Sequence, residues 1–289
     1  MRHFMLLTLS LCLFVPTLAA EGPTLVPDGI AKKPLPELMR QLETVRAQKR
    51  TESLQPISNV VLEGAEPAFI FAVVGTAGAF RTEAVLINRR NQAQRVFAYY
   101  WPIGAGASNC NRGGLEYTMD AKAKYLFTDF VPELFPGESG FGSVIIIAVD
   151  SFGSPDANAA IDGNARIWSL ATGGGTASQN FPSMSVGVPA GEQSAFGLRS
   201  DETYRTNWGI FNYDSATRTF DIAFDGFRAE TQIAESIPPC SLIQKPVTGG
   251  PYGSLEIVFA PRDGGGSFYA YGSSVDNTSL DAWSVPARK

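Results

Sequence analysis

A nine-residue box occurs twice in this chain. Phe80-Arg81-Thr82-Glu83-Ala84-Val85-Leu86-Ile87-Asn88 returns as Tyr204-Arg205-Thr206-Asn207-Trp208-Gly209-Ile210-Phe211-Asn212, 205 − 81 = 124 positions later. Each copy opens on an aromatic residue, Arg and Thr, continues as an apolar run, and closes on Asn. The same shift relates Val96, Ala98 and Tyr100 to Phe220, Ile222 and Phe224. Those are alternate residues, the spacing of a strand whose successive side chains point to opposite faces. The chain is thereby constrained to two related β-units in tandem.

A second echo supports the duplication. Phe141-Gly142-Ser143-Val144-Ile145-Ile146-Ile147 matches Tyr252-Gly253-Ser254-Leu255-Glu256-Ile257-Val258 at a shift of 253 − 142 = 111, so the second unit is shorter between the echoes. Strands are expected at 68–74, 81–88, 95–101, 124–131, 141–149 and 164–171, with a long Gly/Ala/Asn loop at 104–114. In the second unit they are expected at 184–188, 194–199, 205–212, 217–224, 228–233, 252–259 and 268–276. Val144 to Ile147 is apolar on both faces, as in a strand buried between layers. Gly173-Gly174-Gly175-Thr176-Ala177-Ser178 marks the expected border of the units. Short strands with frequent turn signals are the pattern of an immunoglobulin-like sandwich, with a closed barrel as the alternative. The expected fold is all-β: two tandem Ig-like antiparallel sandwiches, over 59–175 and 176–289, preceded by a short N-terminal helix.

That helix is expected over 36–50, where Leu38, Leu42 and Val45 recur at i, i+4 and i+7 behind Pro36. It lies in a leader, 21–58, whose first part is Pro-rich and aperiodic. Residues 1–20 have the layout of a secretory signal peptide: Arg2 and His3, an apolar stretch over 4–15, then Thr17-Leu18-Ala19-Ala20, with cleavage after Ala19 or Ala20. Cys12 follows Leu11 and does not fit a lipid-anchor site. The mature protein is expected to be exported, periplasmic or extracellular, with no membrane span.

His3 is the only histidine, so the mature chain has none. Imidazole-dependent triads and histidine-ligated metals are thereby excluded. A formal net charge of −5 gives no basic footprint for nucleic acid. No phosphate loop, Cys-x-x-Cys pair or nucleophile elbow is present. No cofactor and no catalytic residue is assigned.

Arg81 and Arg205, placed identically, invite a ligand carboxylate or sugar, but an arginine at a strand start also satisfies local carbonyls and carboxylates. The expectation is a structural box: Phe80, Arg81, Thr82 and Asn88, then Tyr204, Arg205, Thr206 and Asn212. Tyr99 and Trp101, on the face opposite Tyr100, are weak candidates for a sugar platform, against the plainer role of covering an interface between units. The loop 150–164 holds calcium-type oxygen ligands, which are also ordinary turn residues, and no metal is assigned. Asp129 and Glu133 form an acid pair that chance readily supplies.

The boxes, together with the closing stretch from Tyr269 to Asn277, resemble those of uncharacterised secreted bacterial proteins with tandem β-sandwich units, over about residues 60–283. That resemblance carries no activity. The absence of histidine and of any catalytic motif, joined to the duplicated all-β scaffold, points instead to a non-catalytic exported protein with a structural, adhesive or surface-interaction role, whose partner the sequence does not identify, another surface protein or a glycan being the candidates. The alternatives are a carbohydrate-binding module and a carboxylate-dependent hydrolase. Cys110 and Cys240 follow their boxes by 110 − 81 = 29 and 240 − 205 = 35 positions. Equivalent loops brought together about a pseudo-twofold axis would let them form an interdomain disulfide, the alternative being two unrelated thiols.

Overall fold

The computed structural model describes residues 22–31, 33–52, 66–104, 110–170, 175–186, 191–226 and 229–288. The signal-type segment lies outside them. The fold is all-β sandwich, with two helices among the described residues, α1 (Leu35–Glu52) and α2 (Phe130–Leu134). Among the described residues no helix is long and apolar enough to cross a membrane.

The first unit contains β1 (Thr24–Ala31), β2 (Ala68–Thr76), β3 (Arg81–Asn88), β4 (Gln94–Pro102), β5 (Gly114–Met119), β6 (Lys124–Phe127), β7 (Gly140–Val149), β8 (Ile161–Leu170), β9 (Thr176–Pro182) and β10 (Met184–Ser185). They form sheet I, ordered β1-β5-β4-β7-β2-β10, and sheet II, ordered β6-β3-β8-β9. The second unit contains β11 (Gln193–Ser200), β12 (Tyr204–Asn212), β13 (Arg218–Gly226), β14 (Ala229–Ile237), β15 (Ser241–Pro246), β16 (Tyr252–Pro261), β17 (Phe268–Asp276) and β18 (Ala282–Pro286). Its sheets are III, ordered β15-β12-β17-β18, and IV, ordered β11-β16-β13-β14. Neighbouring strands pair antiparallel throughout.

One pairing scheme is used twice. Sheet II matches sheet III strand for strand, and the β5-β4-β7-β2 part of sheet I matches β14-β13-β16-β11 of sheet IV. Both sequence echoes fall on counterparts, the boxes on β3 and β12 and the Gly-Ser echo on β7 and β16. The scheme also keeps an irregularity. The register slips between Phe71 and Val74 in β2 and between Ala195 and Leu198 in β11, the same 124-residue shift. As in an immunoglobulin sandwich, the second and fifth strands share one sheet and the third and sixth the other. The first and seventh strands here exchange sheets relative to that arrangement, β2 pairing with β7 and β8 with β3.

The sheets stack in the order II, I, III, IV. Phe69, Phe71, Ala84, Leu86, Val96 and Tyr100 fill the space between II and I. Trp208, Ile210, Phe220, Ile222, Ile257 and Phe259 do the same between III and IV. A third apolar cluster joins the units, with Trp101, Ile145 and Ile147 from sheet I meeting Phe211, Leu242 and Tyr271 from sheet III. This explains why β2 and β7 are buried on both faces. Odd and even residues of β7 serve different cores, so the apolar run at 144–147 has no polar alternation. The stacking is head to tail: sheet I, the counterpart of IV, packs on III, the counterpart of II. No pseudo-twofold axis relates the units.

Helix α1 wedges into the same joint. Leu35, Leu38, Met39 and Leu42 are buried at i, i+3, i+4 and i+7, while Val45 is half-buried. Arg46 fastens the helix to the first unit through Glu66 at 2.9 Å and Ser185 Oγ at 2.9 Å. Glu43 accepts from Ser267 of the second unit at 3.4 Å. Burial raises the Glu43 carboxyl above its ordinary value, the Ser267 bond opposes this, and the charge of Asp214 adds to it.

Four expectations need correction. The extended leader is a strand, β1, which extends sheet I beyond β5; Pro27 falls where the β1 register slips, between Leu25 and Ile30, and proline is tolerated in such edge positions. The stretch 124–131 is not one strand: β6 ends at Phe127 and α2 follows. No strand is expected between the loop at 104–114 and Lys124, yet β5 (Gly114–Met119) lies there. The border also shifts. β9 and β10 pair with β8 and β2, so the first unit's sheets run to Ser185, and the second unit's first strand is β11.

Cys110 and Cys240 are joined, with Cα atoms 5.1 Å apart. Their loops are not equivalent: one connects β4 to β5, the other β14 to β15. Head-to-tail stacking accounts for this, since it brings unlike ends of the units together. Beside the bridge, Ile103 pairs with Leu242, and the Gly104 amide donates to the Leu242 carbonyl at 2.9 Å.

Candidate functional site

The repeated box holds the sandwich ends closed. Thr82 is fully buried, accepting from the Gly75 amide at 2.7 Å and donating to the Gly75 carbonyl at 2.9 Å, just past the β2 register slip. Its counterpart Thr206 donates to the Arg199 carbonyl and meets Ser274 Oγ at 2.7 Å. At the other strand end, Asn88 Nδ2 donates to the carbonyls of Gln92 at 2.9 Å and Asp120 at 2.8 Å, while Oδ1 accepts from the Arg90 amide at 3.0 Å. Asn212 repeats this with Ala216 at 2.9 Å, Pro238 at 3.1 Å and the Asp214 amide at 3.1 Å. The clamped connections also match. Two residues beyond Asp120 and Pro238 stand Lys122 and Cys240, both left-handed at φ 56° and 51°.

Both asparagines are completely buried, and each also donates to one buried backbone carbonyl, Asn88 to Met119 at 3.3 Å and Asn212 to Ile237 at 3.0 Å. Asn88→Ala is therefore expected to lower the free energy of unfolding by about 3 kcal/mol, since one buried and several half-buried backbone groups lose their partners at once. Asn212→Ala should do the same. Urea unfolding measures this, and a loss below about 1 kcal/mol in either variant would mean that the amide does not clamp its loop.

The two arginines have diverged. Arg81 donates to the carbonyls of Gly78 at 2.8 Å and Phe80 at 2.7 Å and pairs with Asp129 at 3.1 Å. Arg205 donates to Asn277 Oδ1 at 2.8 Å, and among the described residues it makes no ion pair.

The other candidates are absorbed by structure. Tyr99 and Trp101 stack on each other at 5.3 Å and are 1% and 0% exposed, so neither offers a face to a sugar. They cover the joint between the units, where Trp101 meets Phe211 at 5.4 Å. Asp129 pairs with Arg81, and Glu133 accepts from the Asp129 amide at 2.7 Å as a cap on α2, so this acid pair is engaged. In the loop 150–164, Asp150 accepts from the amides of Phe152 at 2.8 Å and Ser154 at 2.9 Å. Asp156 and Asp162 pair with Arg90 and Arg89 at 2.6 and 2.5 Å. Among the described residues no three His, Cys, Asp or Glu side chains group as metal ligands.

What the sequence did not disclose is a cleft of about 240 Å³ between the units. The outer face of sheet III grades along β12 from Phe211 and Gly209, in the dry joint, to Asn207 and Arg205. Opposite, β9 overhangs sheet I and reaches sheet III, where Gln179 Nε2 donates to Ser273 Oγ at 2.6 Å. The floor is Val73, Phe141, Ile167 and Phe181. Arg205, Asn207, Gln179, Gln244 and Ser273 converge from the walls. Phe80, Ile103 and Leu280 stand at the rim, 45%, 37% and 38% exposed.

Gly209 permits this geometry. A Cβ there would sit 2.3 Å from the Tyr271 ring, which crosses the glycine to donate to Gln244 Oε1 at 2.8 Å. Burial, with Tyr269 beside it, raises the Tyr271 hydroxyl well above its ordinary value, so it stays a neutral donor. Of the repeated-box residues, Phe80, Arg205 and Asn207 reach the cleft. The amides come from strands with no shared motif, and only the alternation of Arg205, Asn207, Gly209 and Phe211 hinted at a face that turns from apolar to polar.

No protein-family model matches the chain, and no curated protein matches it significantly.

Proposed function

We propose that this is an exported, non-catalytic β-sandwich protein that acts as a two-unit interaction module. One observation carries the reading. The cleft between the units is lined by apolar groups, amides, hydroxyls and one guanidinium, with no Asp, Glu, His, Lys or Cys in its lining among the described residues. Such a surface can hold a ligand by shape and hydrogen bonds, but it has no group poised to take a proton near neutral pH. Export is supported by the Cys110–Cys240 bridge, since such bonds persist in oxidising compartments.

The test uses the full chain, residues 1–20 included, in a bacterial host. The expected product lies in the exported fraction, begins at Ala20 or Glu21, and has no alkylatable thiol before reduction. Retention in the cytosol with residues 1–20 uncut would refute export. Turnover of esters, glycosides or peptides that disappears on changing one carboxylate would refute the non-catalytic reading.

A further inference from the structure

We infer that the cleft between the units is a binding site for a small monocarboxylic acid with an apolar body, held by Arg205. The divergence of the duplicated arginines points there. Arg81 has its carboxylate in Asp129, whereas Arg205 sits in the lining of the cleft with no acid partner among the described residues. Asn277 occupies one guanidinium nitrogen and fixes the group, and among the described residues no other acceptor takes the remaining donors of the fork. A guanidinium at the edge of a partly apolar cleft matches a carboxylate in charge and in geometry.

The rest of the cleft describes the acid. Phe141, Ile167, Phe181 and Val73 give it an apolar floor, and the exposed Phe80 and Leu280 extend that surface at the mouth. Gln179 and Gln244 are already oriented by Ser273 and Tyr271, so their positions are set before any ligand arrives. At roughly 30 Å³ per water in the liquid, about 240 Å³ is the room of about eight waters and suits a molecule of about that many heavy atoms. A polysaccharide chain or a folded partner would not enter. The inference goes beyond the non-catalytic reading and uses it only in that the acid is held and not converted.

The experiment titrates the intact, disulfide-bonded protein with phenylacetate, with hexanoate, and with phenylacetamide as the uncharged isostere. Binding is followed by the side-chain amide NMR signals of Gln179 and Gln244. The acids are expected to bind and shift those signals, with phenylacetamide weaker by about tenfold or more. Arg205→Gln should weaken the acids by about tenfold to a hundredfold and leave the amide unchanged. Arg166→Gln, which removes one positive charge from the outer face of sheet II, should bind as the parent does. Absence of binding by both acids, equal binding of acid and amide, or an Arg205→Gln variant that binds the acids undiminished would each overturn the inference. Recovery of the acids unchanged, checked by mass spectrometry, separates this result from the non-catalytic reading: a converted acid would sink that reading while leaving the site standing.

Discussion

Residues 191–289 expressed alone, with Cys240→Ser to prevent intermolecular bridges, are expected to be insoluble or to associate, while the full chain stays monomeric and native. The second unit has its own core between sheets III and IV, and its strand pairing is complete without the first unit. Its difficulty lies on the other face of sheet III. Phe211, Tyr213, Leu242 and Tyr271 are all buried in the joint, at 0%, 2%, 0% and 1% exposure. Each large apolar side chain moved into water forfeits roughly 1.5–3 kcal/mol, and a contiguous patch of this kind promotes association. Centrifugation, gel filtration and near-ultraviolet circular dichroism distinguish the outcomes. A soluble, monomeric segment with native tertiary signals would show that the joint is a contact between independent domains and not a shared core.

The architecture was legible where side chains alternate and where a short pattern recurs. β3 is buried at every second residue, and the box announces that strand twice. Val144 to Ile147 announced a strand covered on both faces, which sheet I supplies by separating two cores. Elements with weaker patterns escaped. β5 carries Leu115, Tyr117 and Met119 but adjoins a Gly-rich loop, and β1 contains Pro27 and Gly29. β9, with the sequence Thr-Ala-Ser-Gln-Asn-Phe-Pro, is polar because it borders the cleft. Its composition was that of a linker, so the border between units was placed too early.

The site was less legible than the fold for a physical reason. Arg205 stood out because it was duplicated, but duplication alone could not separate it from Arg81; the difference is Asp129, 48 residues from Arg81 and on another element. The amides of Gln179 and Gln244 have no motif, and they meet only because unlike sheets stack. The pseudo-twofold assumption would have put sheet II against sheet III, and then β9 would not overhang sheet I. Stacking mode depends on which faces are apolar in three dimensions, and one strand's alternation does not reveal that.

Removal of the bridge by Cys110→Ser together with Cys240→Ser is expected to lower stability by roughly 5 kcal/mol, because the bridge closes a loop of 130 residues and so restricts the unfolded chain. The form of the change is as informative as its size. The units share the cluster around Trp101, Phe211 and Tyr271, and α1 is wedged into it, so the variant should still unfold in one transition, shifted to lower denaturant. If the bridge were the principal tie between otherwise separate units, its loss would instead divide the curve into two steps. The joint beside the bridge also has a tie that the substitutions leave in place, the Ile103–Leu242 pairing with its Gly104 amide bond. Urea unfolding followed at once by tryptophan fluorescence and far-ultraviolet circular dichroism tests both points. Coincident, shifted curves are the expected result; an unshifted midpoint would contradict the chain-entropy argument, and two separated transitions would contradict the shared core.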